Sequence, residues 1–233
     1  GATLLSGLQV PEGKVLADYL PEGTAFVKCS YDYDSNTLTV SDPQEFIPDV
    51  YTANKSTEEM TVVSHTHDFS NGTACPCGFN CDHSTVDEAT GKCGTCGTQV
   101  YAATLTNADG TKQSYASFAD AWIAATDNEG STLKLLCDIT LNNAENGIIA
   151  QSGKFTFDLN GKTVSGDITN QLLTVSGTAD ITIRNGKLTN TFSKSSSDIE
   201  RSCANALKID GGTAALDGVE LTAGHGLGDI RSY

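Results

Sequence analysis

The sequence has no run of about 18 apolar residues, so it contains no candidate for a membrane-spanning helix. It also lacks a positively charged start followed by an apolar stretch, the pattern of a secretory signal peptide. Basic residues are scarce, with 14 Lys and Arg against 29 Asp and Glu and a formal charge of −15. Because so acidic a surface repels phosphate groups, nucleic acid is not an expected partner, whereas calcium or a cationic partner is permitted.

Methionine and tryptophan occur once each, and proline occurs only five times. Gly, Thr, Asn, Asp and Ser are abundant instead, which favours short strands and many turns over long helices. The expected fold class is therefore mainly β. A chain of 233 residues is long enough for one or two domains. Its abrupt ends predict that it is a fragment of a longer protein.

Three segments of different composition follow one another: residues 1–64, 65–97 and 98–233. The first is expected to be β-rich and to close a preceding module. It has a helix pattern at 14–20 and a hairpin pattern formed by the strands 25–27 and 37–40. The second segment has few apolar side chains and could not form a hydrophobic core of its own.

The strongest helix pattern opens the third segment. It predicts a helix over 114–125, with Ser117 as the N-cap and with Phe118, Trp122 and Ala125 on one face. Short strands and turns alternate after it. The predicted strands are 133–136, 139–141, 155–157, 173–175, 181–183, 207–209 and 219–221.

These strands recur with matching turns. The turns are Asn160-Gly161-Lys162, Asn185-Gly186-Lys187 and Asp217-Gly218-Val219, and the second interval between them is the longer one. Leu173 and Leu207 open matching strands on either side of a serine-rich insert. A period of roughly 20–30 residues with several short strands predicts a solenoid whose first turn is covered by the helix. An antiparallel sandwich is the alternative.

Three stretches of the third segment resemble the capped start of a right-handed parallel β-helix: residues 115–122, 133–141 and 157–164. They are similar to the pectate-lyase-like repeats of large secreted or wall-attached proteins of Gram-positive anaerobes. The resemblance covers roughly residues 98–233. It implies a parallel β-helix with an N-terminal capping helix and an extracellular or cell-surface location. It also implies a scaffold or adhesive role, in contact with carbohydrate or with a host or partner surface.

Cysteine and histidine are concentrated in the middle segment. Of the eight Cys and four His, five Cys and three His lie within residues 65–96. They form two similar halves, in which two ligands separated by one residue precede a cysteine pair followed by Gly. The members are His65, His67, Cys75 and Cys77 in the first half and Cys81, His83, Cys93 and Cys96 in the second.

This pattern predicts two structural zinc sites, a double zinc knuckle. Zinc takes four ligands in a tetrahedron, with sulfur at about 2.3 Å and imidazole nitrogen at about 2.0 Å, and close-spaced pairs on turns supply that geometry. Gly78, Gly94 and Gly97 allow the backbone to curl at the cysteine pairs. Each site is closed by protein ligands, so no position remains for a catalytic water and no catalytic residue is assigned. Metal binding would also hold together a segment that lacks a core.

Disulfides are the rival explanation, natural for a secreted protein. The odd number of cysteines in the cluster and the close spacing of Cys75 and Cys77 count against them. Disulfides would also leave three histidines without a role. A mixture of zinc and disulfides stays open, above all for the first half. Cys29, Cys137 and Cys203 lie outside the cluster and are expected to be buried apolar thiols.

An enzyme is the alternative function, because parallel β-helices also carry polysaccharide lyases and glycoside hydrolases. Gly224-His225-Gly226 resembles a motif of the polygalacturonase family, but the Asn-Thr-Asp, Asp-Asp and Arg-Ile-Lys segments of that family are missing. Glycoside hydrolysis needs two carboxylates that flank the bond. For a lyase, Arg184 and Asp158 are candidates from their places in the repeat. The favoured hypothesis is a scaffold in which zinc fixes the angle between modules, and a third is a module whose loops at 65–97 bind a partner.

Overall fold

The computed structural model describes five stretches of the chain: residues 20–21, 23–47, 60–142, 147–193 and 204–224. These stretches are mainly β and contain fourteen strands and one short helix. The chain divides into two compact units, one with residues 1–85 and 93–98 and the other with residues 86–92 and 99–233. The division into the segments 1–64, 65–97 and 98–233 is a different one and stays a prediction. No helix in the described stretches has the length and apolar character needed to cross a membrane.

The first unit contains an antiparallel sheet with strand order β2-β1-β3. Its strands are β1 (Thr24–Asp32), β2 (Thr37–Val40) and β3 (Met60–Ser64). β1 and β2 form a hairpin with the predicted second strand, but its partner is residues 29–32 of β1, whereas the predicted strand 25–27 pairs with β3. In its turn, Asp32 Oδ1 accepts a hydrogen bond from the backbone N–H of Asp34 at 2.9 Å. Asn36 takes a left-handed φ of 52°, which asparagine tolerates. Residues 14–19 of the helix predicted at 14–20 lie outside the described residues.

The second unit begins with a hairpin and the helix. Its first named elements are β4 (Ala103–Thr106), β5 (Lys112–Tyr115), α1 (Phe118–Asp127) and β6 (Ser131–Leu135). The predicted helix start at residue 114 is wrong, because Ser114 and Tyr115 pair with β4 as the end of β5. The predicted N-cap is confirmed, since the Ser117 side chain accepts a hydrogen bond from the backbone N–H of Asp120 at 3.3 Å.

Helix α1 packs its apolar face against strands of its own unit. Phe118 and Trp122 are buried, as predicted. The Trp122 ring lies edge-on to Phe155 and Phe157, with centroid distances of 5.4 and 5.2 Å. Its Nε1 donates a hydrogen bond to the Ile149 carbonyl oxygen at 3.0 Å. Edge-to-face contacts are a favourable arrangement of aromatic rings, and they fix the helix against these strands.

The remaining strands are β7 (Ile139–Leu141), β8 (Ile148–Ala150), β9 (Lys154–Asp158), β10 (Thr163–Gly166), β11 (Leu173–Ser176), β12 (Asp180–Asn190), β13 (Leu207–Asp210) and β14 (Thr213–Thr222). One sheet runs β5-β4-β6-β9-β12-β10-β7, with β14 also paired to β12, and a second runs β13-β11-β8. In the described residues, every pairing among β6 to β14 is parallel. The antiparallel sandwich is therefore contradicted.

Parallel partners recur at similar intervals along the chain. Leu173 pairs with Ile148 on the preceding strand and with Leu207 on the following one. The pairing of Leu173 with Leu207 confirms the match that the repeat predicts between their strands. Asn185 lies opposite Gly218 and not opposite Asp217, so the third turn is aligned one position later than predicted. Asn185 and Gly218 share a left-handed backbone, with φ of 59° and 62°, and this shared conformation aligns them.

The core of the second unit consists of apolar side chains stacked from strand to strand. Leu133, Phe157 and Ile183 occupy matching positions on β6, β9 and β12, and each is fully buried. The next position in this row, Leu216 on β14, is 46% exposed. Among the described residues, β14 is paired with a strand on one side only, so Leu216 has a neighbour of the row on that side alone. Most of the serine-rich insert, residues 194–198, lies outside the described residues.

Candidate metal centres

The first site is built from the chain that follows β3 and from a tight turn. Alternate residues of an extended chain point the same way, and the rings of His65 and His67 lie 5.4 Å apart. Cys75 and Cys77 lie in a turn that is closed by a hydrogen bond from the Gly78 N–H to the Cys75 carbonyl oxygen at 2.8 Å. Gly78 has a φ of 89°, a conformation that favours glycine at this position.

The four side chains of the first site converge. His65 Nε2 lies 3.0 Å from Cys75 Sγ, and His67 Nδ1 lies 3.4 Å from Cys77 Sγ. All four ligand atoms lie within 4.8 Å of one another. With ligands at about 2.0–2.3 Å, neighbouring ligand atoms of a zinc tetrahedron are separated by about 3.3–3.8 Å. The two measured separations, 3.0 and 3.4 Å, are close to these values, and the four side chains could hold a metal ion.

The second site also places its cysteine pair in a turn that ends in glycine, but this turn is one residue longer. The Gly97 N–H donates a hydrogen bond to the Cys93 carbonyl oxygen at 2.9 Å, and Gly97 has a φ of 74°. The Gly94 N–H donates to the Thr85 carbonyl oxygen at 2.8 Å. This second bond ties the turn that carries the cysteine pair to the stretch that follows His83, so the two halves of the site are held together by backbone groups.

The ligand atoms of the second site also converge. Cys81 Sγ lies 3.5 Å from Cys93 Sγ, and Cys96 Sγ lies 3.4 Å from His83 Nδ1. These four atoms likewise lie within 4.8 Å of one another. The structure thus groups the eight predicted ligands in two sets of four, divided as the spacing predicts, and both sets could hold a metal ion.

Hydrogen bonds set the protonation of the second site in the metal-free chain. The backbone N–H of Cys96 and then the His83 side chain lower the pKa of Cys93 to about 6. For Cys81, the backbone N–H of His83 lowers the pKa, but burial and the neighbouring Cys93 and Cys96 outweigh it and raise the pKa to about 11. A hydrogen bond with Thr98 is the main cause that lowers the pKa of Cys96. At neutral pH, Cys93 is therefore a thiolate while Cys81 keeps its proton.

At the first site, burial is the main cause of the pKa shifts of His65 and Cys77. It lowers the pKa of His65, to which the nearby His67 adds, because a buried imidazole resists a positive charge. Burial also raises the pKa of the Cys77 thiol. The backbone N–H of Asp68 donates a hydrogen bond to Cys75 Sγ at 3.4 Å.

Aromatic rings surround the first site. The Phe79 ring stacks on His67, with centroids 4.2 Å apart and an interplanar angle of 12°. The Phe46 ring lies 4.6 Å from that of His65, and Phe69 lies 5.8 Å from His67. The sequence offered a signal for two of these rings, since Phe69 and Phe79 are apolar residues in a polar segment. It offered none for Phe46, which comes to the site through the sheet.

No disulfide joins the described cysteines, and Cys203 lies outside the described residues. The separation of 3.5 Å between Cys81 and Cys93 exceeds the bonded sulfur distance of about 2.05 Å. Cys29 and Cys137 are half-buried and not fully buried as predicted. Cys137 packs against the edge of the second unit's core, and burial raises its pKa. Cys29 is half-buried because it lies beyond the buried part of β1.

The two candidate lyase residues meet as an ion pair across neighbouring strands. Arg184 Nη2 and Nε lie 2.9 and 3.0 Å from Asp158 Oδ2. Asp158 is 8% exposed, and its Oδ1 accepts hydrogen bonds from Asn185 Nδ2 at 3.2 Å and from the Asn160 N–H at 2.9 Å. Both carboxylate oxygens are thus engaged in fastening β9 to β12. His225 and Gly226 of the other candidate motif lie outside the described residues.

No protein-family model matches this sequence, and comparisons with curated proteins and with solved structures give no match either. The resemblance to pectate-lyase-like repeats therefore stays a prediction, carried by the residues of this chain alone. Any functional conclusion has to come from the geometry of the two sites and of the strands.

Proposed function

We propose that this chain is a structural scaffold that binds two zinc ions and does not use them for catalysis. The observation that carries the proposal is the donor set, four Cys or His atoms within 4.8 Å in each of two clusters. Thiolate and imidazole donors in a tetrahedron suit zinc, and neither set includes a carboxylate. Four protein ligands leave no open coordination position, as in structural zinc sites.

The zinc ions would supply stability that the segment around them cannot obtain from apolar burial. Between residues 65 and 97, the buried side chains with apolar character are Cys75, Cys77 and Cys93. Structural zinc contributes on the order of 10 kcal/mol to the folding of small domains. A contribution of that size replaces a hydrophobic core in a stretch made mostly of turns.

The second unit would be the start of a right-handed parallel β-helix, capped by α1. Parallel pairing that recurs along the chain supports this architecture, as does the buried row of stacked apolar side chains. The right hand follows from the general preference of parallel crossover connections. The helix would shield the first turn through the contacts of Trp122 with Phe155 and Phe157.

The resemblance extends this proposal to a role at the cell surface, where the scaffold would contact carbohydrate or a partner surface. A polysaccharide lyase or glycoside hydrolase is less well supported. Asp158, the carboxylate considered for such chemistry, is buried and has both oxygens engaged by Arg184, Asn185 and Asn160.

Elemental analysis of the purified chain, with thiol counting after denaturation in chelator, tests the zinc proposal. We expect two zinc ions per chain and five cluster thiols that react only after chelation. Cys93→Ser should lose one zinc, whereas Cys137→Ser, which alters a half-buried thiol outside both sites, should keep two. A chain without metal whose cluster thiols fail to react would overturn the proposal in favour of disulfides.

A further inference from the structure

The two sites differ in how they are attached to the first unit. The first site continues the sheet: the His65 N–H donates a hydrogen bond to the Gly23 carbonyl oxygen at 2.8 Å, next to the pair formed by Thr24 and Ser64. His65 is therefore an extension of the β1–β3 ladder. The sheet thus fixes the backbone from which the imidazole is presented.

The cysteines of the first site belong to the core of the same sheet. Cys75 and Cys77 are 3% and 7% exposed and form a buried cluster with Ala25 of β1. Phe46, which bridges to Val27 of β1, packs against this cluster. The sulfur ligands thus occupy the place that apolar side chains take in an ordinary sheet core.

Rings also limit access to the first site. Phe79 stacks on His67 and Phe46 lies against His65, so two aromatic faces cover the imidazole ligands. The rings narrow the approach of a chelator or an oxidant to the imidazole ligands. Moving Phe46, which packs against the buried cluster, exposes apolar surface to water, which is unfavourable.

The second site has none of these attachments among the described residues. None of its ligands takes part in a described ring contact or in the buried cluster that contains Ala25. Its supporting bonds are local, such as those of Gly94 with Thr85 and of Cys93 with Thr98. Three of its ligands, Cys81, His83 and Cys96, are half-buried, against two in the first site, His65 and His67.

We infer that the two metal ions leave in a fixed order. The ion of the second site is released first and leaves the β2-β1-β3 sheet intact, whereas the ion of the first site is released only when that sheet opens. The inference rests on the proposed binding of two zinc ions. It makes the second site the one that responds to chelators or oxidants and the first site a permanent part of the fold.

The test is a stepwise chelator titration of the full chain, followed by thiol alkylation and mass mapping. We expect Cys81, Cys93 and Cys96 to be labelled with the first equivalent of zinc released, and Cys75 and Cys77 with the second. Amide exchange measured in parallel should show β1 and β3 protected after the first release and at least about tenfold less protected after the second.

Matched variants give a second measurement. Cys96→Ser should keep one zinc and normal exchange in β1 and β3, and Cys77→Ser should lose protection there. Release of both ions in one step, labelling in the reverse order, or equal loss of sheet protection in both variants would overturn the inference. A wild-type chain without zinc would instead contradict the proposed function. If Cys77→Ser does not fold, the wild-type titration still decides the order.

Discussion

The core of the second unit and the turns that follow β3 in the first unit bury different chemical groups. In the second unit, the core is a row of apolar side chains such as Leu133, Phe157 and Ile183, all fully buried. In the first unit, the turns that follow β3 bury Cys75 and Cys77 as metal ligands. Apolar stacking works where strands repeat in register, because each side chain is covered by its neighbours on both sides. Turns without such a repeat need a metal ion or an equivalent crosslink.

Complete removal of metal should produce the largest difference between the two units, because only the first unit contains the metal ligands. In chelator without denaturant, we expect residues 60–85 and 93–98 to lose amide protection while β9 and β12 keep theirs, because these two strands hold no metal ligand. Trp122, the single tryptophan, lies on α1 and reports the second unit by its fluorescence, which should not change. Loss of protection in both units at the same chelator concentration would contradict the comparison.

Substitutions along one row of the second unit should show how strongly stacking stabilises it. Ile183→Ala removes a side chain that is covered on both sides and should cost about 2–5 kcal/mol in free energy of unfolding. Leu216→Ala, at the next position of the same row but 46% exposed, should cost less than about 1.5 kcal/mol. Denaturant unfolding followed by Trp122 fluorescence measures both, and equal costs would contradict the role of the row.

The number of protons released when zinc binds should depend on pH at the second site. Cys81, with a pKa of about 11, gives up a proton on binding zinc at pH 8, whereas Cys93, with a pKa of about 6, is already a thiolate. As the pH falls through about 6, the metal-free Cys93 binds a proton that zinc must displace. We therefore expect at least about one more proton released at pH 5 than at pH 8, and an apparent affinity that falls more steeply in acid.

Calorimetric titration in two buffers of different ionisation enthalpy counts these protons. The relevant step is the binding of the last zinc equivalent, which on the order inferred above fills the second site. A proton count that stays constant between pH 5 and pH 8 would show that Cys93 does not carry the lowered pKa in the metal-free chain.

Much of the metal chemistry was predictable from local spacing. His65 and His67 are two residues apart in an extended stretch, and the cysteine pairs are followed by Gly78 and Gly97, so short-range geometry brings each pair together. The N-cap at Ser117 was predictable for the same reason, because its partner Asp120 is three residues away. The pairing of the strands that begin at residues 173 and 207 could also be found, since both strands open with the same pattern of residues.

Features that depend on distant pairing were missed or misplaced. The start of α1 was set four residues too early because Ser114 and Tyr115 are recruited by β4, a contact that helix periodicity does not reveal. The third turn was aligned one residue off, because its register follows the left-handed backbone at Asn185 and Gly218 and not the Asp-Gly dipeptide.

The sequence by itself determined which atoms can bind metal and how they divide between two sites, because those choices depend on residue type and on spacings of a few residues. Only the tertiary structure decided that the first site shares its core with Ala25 and Phe46, and that Arg184 and Asn185 engage the two oxygens of Asp158. These contacts join residues that lie far apart in the sequence. They exist only once strand pairing has brought those residues together, and strand pairing depends on the whole chain.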